Sequence, residues 1–80
     1  MTSPLAETIL RLVGGPSNVV SLTHCMSRLR FTLVDEHAAD RVGLAGLDDV
    51  ALVVARAGQL HVGMRRALMP TYDDIAELLR

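Results

Sequence analysis

The chain has 80 residues, with eight basic against nine acidic side chains and a formal charge of −1, so it lacks the basic footprint of a nucleic-acid binder. Half of the residues are hydrophobic, but no run approaches the ~20 apolar residues that span a bilayer, and no basic region followed by an apolar run marks a signal peptide. The length fits a single domain over residues 1–80, and a lone cysteine, Cys25, excludes an intramolecular disulfide and suits a cytoplasmic setting.

Ser3 and Pro4 read as the N-cap and first residue of a helix. Leu5, Ile9, Leu12 and Val13 recur at helical spacing, and Gly14 offers a left-handed stop. Val19 to His24 predicts a strand with Val20 and Leu22 on its apolar face. Residues 28 to 34 alternate, which puts Leu29, Phe31 and Leu33 on one face and Arg28, Arg30 and Thr32 on the other. Cys25, Met26 and Ser27 between them are enough for a hairpin tip. A short helix from about Ala38 to Ala45 is expected, with Val42 inward, although Gly43 disfavours it. Val50 to Ala57 reads as a third strand, punctuated by Gly58. Gln59 to Met64 follows as a fourth, with Leu60, Val62 and Met64 on one face. A last helix carries the stripe Leu68, Tyr72, Ile75 and Leu79, with Pro70 near its start.

The order helix, strand, strand, helix, strand, strand, helix favours antiparallel hairpins. It predicts an α+β fold: an open two-layer sandwich of a four-stranded antiparallel sheet with three helices on one face. The other face then carries Arg28, Arg30, Thr32, Gln59 and His61, all polar, as an uncovered sheet face would.

Chemistry concentrates in Thr23-His24-Cys25-Met26-Ser27-Arg28-Leu29-Arg30. Cationic neighbours favour thiolate over thiol, and guanidinium forks match phosphate oxygens. Successive N–H groups at a hairpin tip also form an anion-binding concavity. The plain alternatives are an inert buried cysteine and arginines that keep a sheet edge soluble.

The same residues, with Gly14-Gly15, Asn18-Val19-Val20 and the run Ala57-Gly58-Gln59-Leu60-His61-Val62, resemble the IIB domain of the glucose and sucrose/β-glucoside superfamily of the bacterial sugar phosphotransferase system. The resemblance runs from about Leu5 to Leu79, including Tyr72 and Ile75 in the last helix. It implies that Cys25 accepts a phosphoryl group from a histidine of a IIA domain. Cys25 then passes it to a sugar held by the membrane-embedded IIC domain, at the inner face of the membrane. Arg28, Arg30, Ser27, Thr23 and His24 would assist at the phosphate, and Gln59 and His61 would lie on a partner surface. No cofactor is implied. Two departures stand out. Ser27 replaces a common threonine, and Gly63-Met64-Arg65-Arg66 replaces an apolar pair and glycine.

His24 shares a side with Val20 and Leu22 by alternation, so its ring is either packed or directed at the phosphate. His61 reads as a solvated histidine or one approaching the loop, and His37 carries no evident chemistry. Scattered histidines around one cysteine make no metal-ligand spacing, and Gly14-Gly15 is no dinucleotide fingerprint. A low-molecular-weight cysteine phosphatase or arsenate reductase needs arginine six positions after the cysteine, where this chain has Phe31. A small ligand-sensing or interaction module without chemistry would share the fold but not depend on Cys25.

Overall fold

A computed structural model describes residues 2–80. Helix α1 (Pro4–Leu12) starts where Ser3 Oγ accepts the Ala6 N–H at 3.2 Å. It stops at Gly14 and Gly15, whose φ of 109° and 87° are conformations that only glycine adopts without strain. A single 3₁₀ turn leads to β1 (Val19–His24), and the hairpin tip leads to β2 (Arg28–Leu33). Then come α2 (Arg41–Ala45), β3 (Val50–Arg56), β4 (Gln59–Met64) and α3 (Leu68–Leu78). The sheet is wholly antiparallel in the order β1-β2-β4-β3, so the two hairpins meet along β2 and β4.

That junction builds the core. Leu29 lies opposite Val62 and Phe31 opposite Leu60, all fully or almost fully buried beneath Ile9, Leu44 and Ile75 of the helices. Burying each such side chain stabilises the fold by about 1.5–3 kcal/mol before entropy is charged against it. Ser3 N–H also donates to Asp74 Oδ2 at 3.1 Å, which ties the start of α1 to α3.

Two inward assignments are corrected. Val20 is 64% exposed, because the β1–β2 register slips between Val19 and Ser21 and leaves Val20 as the extra residue of a bulge. Val19 and Leu22 turn to the core instead. Val42 is 85% exposed. The expected helix from Ala38 is a 3₁₀ turn at Glu36–Ala38 and then α2, whose N-cap Asp40 accepts the Gly43 N–H at 2.8 Å. This cap sets the helix phase so that Leu44 faces in. A Cβ at Gly43 would meet Asp40 Oδ2 at 2.6 Å, so the glycine that disfavours the helix makes room for its cap. β3 ends at Arg56, because Ala57 (φ 52°) and Gly58 (φ 79°) form a two-residue turn with both residues left-handed.

Asn18, buried at the entrance to β1, pins three segments. Its Nδ2 donates to the carbonyls of Val13 (2.8 Å) and Asp35 (2.9 Å), and its Oδ1 accepts the Asp35 N–H (2.9 Å). A Cβ on Gly14 would come within 2.6 Å of this amide.

Candidate functional site

Antiparallel pairing of β1 with β2 projects Cys25 from the end of the sheet. The Cys25 N–H donates to the Arg28 carbonyl at 3.0 Å, which closes the tip, and the Met64 N–H donates to the Ser27 carbonyl at 2.8 Å, which fastens the tip to β4. Met26 is 98% exposed and Cys25 partly so. The Ser27 backbone N–H is the strongest influence holding the thiol below its ordinary pKa. Desolvation opposes it, while the Arg28 N–H and the charge and hydrogen bond of Arg30 reinforce it. Backbone dipoles at the tip and the Arg30 charge thus favour the thiolate.

The register assembles the rest on the helix-free face. Arg30 lies between Thr23 on β1 and His61 on β4, and Thr32 lies opposite Gln59. The ion pairs among the described residues are His37–Asp35 and Arg66–Asp49, so no carboxylate neutralises Arg28 or Arg30. Arg30 Nε is buried without a hydrogen-bond partner, a costly state for a charged donor unless an acceptor is to be met there.

His24 points the other way. It pairs with buried Leu29, its ring meets Tyr72 edge-on with centroids 4.5 Å apart, and its Nδ1 lies 3.1 Å from the Cys25 carbonyl. The side chain is nevertheless exposed, resting on Tyr72 at the rim of the helix layer. His61 is not solvated: it is only 7% exposed although it lies on the polar face. Arg28 Nη1 sits 3.5 Å from His61 Nδ1, His61 Nε2 lies 3.4 Å from Gln59 Oε1, and Gln59 Nε2 donates to Thr32 Oγ1 at 3.4 Å. Guanidinium is only a donor, so Nδ1 is the acceptor and the proton resides on Nε2. Burial, followed by Arg30, Arg28 and Arg56, lowers the His61 pKa below 6.5. Strand alternation placed these side chains on one face, but their connection needs the pairing of β2 with β4.

The departing segment Gly63-Met64-Arg65-Arg66 continues from the site. Gly63 pairs with Arg28, and its missing Cβ leaves room for Leu52, whose Cγ would stand 2.9 Å from one. Asp49 then holds the turn, accepting the Arg65 N–H at 2.8 Å through its carbonyl and Arg66 Nε at 3.4 Å through its carboxylate. The unusual sequence is therefore compatible with an ordered exit from β4.

Residues 7–40, which contain the whole cysteine hairpin, match the family described as phosphotransferase system, EIIB. The chain is 38% identical over 74 residues to the β-glucoside-specific EIIBCA component of Halalkalibacterium halodurans, covering 92% of this chain and 12% of that one. It is 31% identical over 75 residues to the arbutin-, cellobiose- and salicin-specific EIIBC component of Escherichia coli, covering 94% of this chain and 16% of that one. The chain therefore spans a small part of the relatives it matches. Among solved structures, one domain of the phosphotransferase-system IIabc component from Clostridium difficile superposes with a TM-score of 0.80 at 23% identity, covering 94% of this chain and 78% of that one. That likeness is one of fold.

Proposed function

The chain belongs to the EIIB family of the sugar phosphotransferase system, in its glucose/sucrose/β-glucoside group, and on that footing we propose that Cys25 is the residue that carries the phosphoryl group. An EIIB domain is a phosphoryl carrier in sugar uptake and a component of a sugar phosphotransferase. The observation that supports Cys25 is its place at the hairpin tip, where the Ser27 and Arg28 backbone and the Arg30 charge lower its pKa and, among the described residues, no carboxylate pairs with Arg28 or Arg30.

The donor is a phosphohistidine of a IIA domain, and the acceptor is a hydroxyl of a sugar held by a IIC domain. Relatives named EIIBC and EIIBCA components support both partners. No helix among the described residues is long and apolar enough to cross a membrane. Residues 1–80 thus act as one IIB domain at the inner membrane face, through fusion to or association with IIC. In the first transfer the Cys25 thiolate attacks phosphorus, an S–P bond forms, and the N–P bond breaks to release the imidazole. In the second, the sugar oxygen attacks, the S–P bond breaks, and the hydroxyl proton passes to a base on the acceptor side. Such transfers depend on positioning and charge stabilisation.

Arg28 and Arg30 offset charge on the equatorial oxygens, while the Ser27 hydroxyl and Thr23, on the Arg30 side, add donors. His24 supports the loop through the Cys25 carbonyl rather than touching phosphate. Gln59 borders the partner-facing surface, and His61 lies too deep to form it. Both partners approach the same exposed tip in turn, so their contacts are transient.

The test is intact-protein mass spectrometry after incubation with phosphorylated IIA. Wild type gains one phosphate, which iodine removes, and Cys25→Ser gains none. Equal labelling of both proteins refutes the assignment.

A further inference from the structure

Among the described residues His61 is the one buried titratable side chain on the open face of the sheet, and the phosphoryl-transfer steps above do not use it. Its surroundings are unusual for an imidazole. Arg28 and Arg30 face it from β2 and Arg56 from β3, while its own strand offers Gln59, which is neutral. No acidic group is among those that act on it. In this state Nδ1 accepts from Arg28, and the relay through Gln59 to Thr32 fixes the ring and its tautomer.

Arg28 cannot direct the same N–H at His61 and at an oxyanion beside Cys25. A dianion beside Cys25 that takes this Nη1 donor leaves the Nδ1 lone pair free. The dianion also offsets the arginine charges that disfavour a second positive group. Both changes make protonation easier, and they act in the same direction. We propose that His61 is a positioning residue for Arg28, holding it through neutral Nδ1 while the thiol is bare, and that it takes up a proton at Nδ1 when a dianion occupies the cradle. The imidazolium then becomes an additional cation facing the anion, with Nε2–H still held by Gln59. This inference rests on the phosphoryl-carrier reading of the site and adds to it a proton coupled to occupancy.

Linkage makes the proposal measurable without any partner protein. If an anion raises the His61 pKa, lowering pH through that pKa must tighten anion binding, by about tenfold for each unit of rise. Sulfate is the probe, because it stays a dianion from pH 5 to 8 while inorganic phosphate does not. Imidazole NMR resonances of His61 are titrated with and without saturating sulfate, and sulfate affinity is measured across the same range from protection of Cys25 against alkylation.

Sulfate should raise the His61 pKa toward the ordinary 6.5 or beyond. Sulfate should also bind several-fold tighter at pH 5.5 than at pH 8. In His61→Gln, whose Oε1 can accept from Arg28 but cannot titrate, protection should persist and the pH dependence should shrink to the part that protonation of the Cys25 thiolate contributes. An unchanged His61 pKa with sulfate bound, the same pH slope in His61→Gln, or no sulfate binding at all overturns the proposal. Should wild type still gain phosphate on Cys25 in any of those cases, the carrier reading survives and this inference alone fails. The wild-type titration stands even where the variant does not fold.

Discussion

Replacing Arg30 by alanine perturbs both titrating groups of the site at once. Its guanidinium acts on Cys25 by charge and hydrogen bond, and it is the leading charge that lowers the His61 pKa. Loss of one preorganised donor aimed at developing charge commonly costs about 2.7–4 kcal/mol, so transfer from phosphorylated IIA should slow by about 10²–10³. Stability should change far less. The variant loses the stem packed between Thr23 and His61, but it also removes a buried donor without a partner and a like charge beside Arg28 and Arg56. These opposing effects should leave the unfolding free energy within about 1 kcal/mol of wild type. The Cys25 pKa should rise, which lowers the thiolate fraction at pH 7, and the His61 pKa should rise as well. Rapid-quench transfer, the pH profile of Cys25 alkylation and imidazole NMR measure the three effects on one preparation. Transfer within threefold of wild type, with both groups titrating as before, would refute the arginine cradle.

Asn18→Ala should destabilise the fold by about 3 kcal/mol, since one buried and two partly buried hydrogen bonds are lost and the Asp35 N–H and the Val13 and Asp35 carbonyls lose their amide partner. Urea unfolding measures it, and a loss under 1 kcal/mol would contradict the pinning role. His61 gives the folded state a pH dependence. Its folded pKa lies below the unfolded value of 6.5, so the unfolded chain binds more protons between the two. The stability contribution is complete above the unfolded pKa and is lost as pH falls from there toward the folded pKa. Urea midpoints should therefore decline on acidification below about pH 6.5 in wild type and decline less in His61→Gln; parallel curves would show that His61 is not held neutral.

Much of this protein was legible from local pattern. A capping serine before proline, paired glycines after an apolar stripe, and period-two alternation around the cysteine are all signals carried within a few residues. They located α1, the hairpins and the Cys25 tip, and they put Arg28 and Arg30 on the face opposite Phe31. Where pairing intrudes, the local signal fails. Val20 continues an apparent alternation, yet the β1–β2 register makes it a bulge, and bulges depend on the partner strand as much as on their own sequence. Val42 looks inward until Asp40 fixes where α2 begins.

His61 shows the boundary most clearly. Alternation assigned its face, but a polar face is solvated only where its neighbours leave it open. The order β1-β2-β4-β3 sets β4 between β2 and β3, so the ring is buried and the charges of Arg30, Arg28 and Arg56 reach it and favour its neutral form. The sequence alone determined which side chains could share the site, because side-chain direction is a property of the strand. Which of them touch, which are dry and which carry a proton was decided by strand order and register, because those quantities depend on residues more than thirty positions apart in the chain.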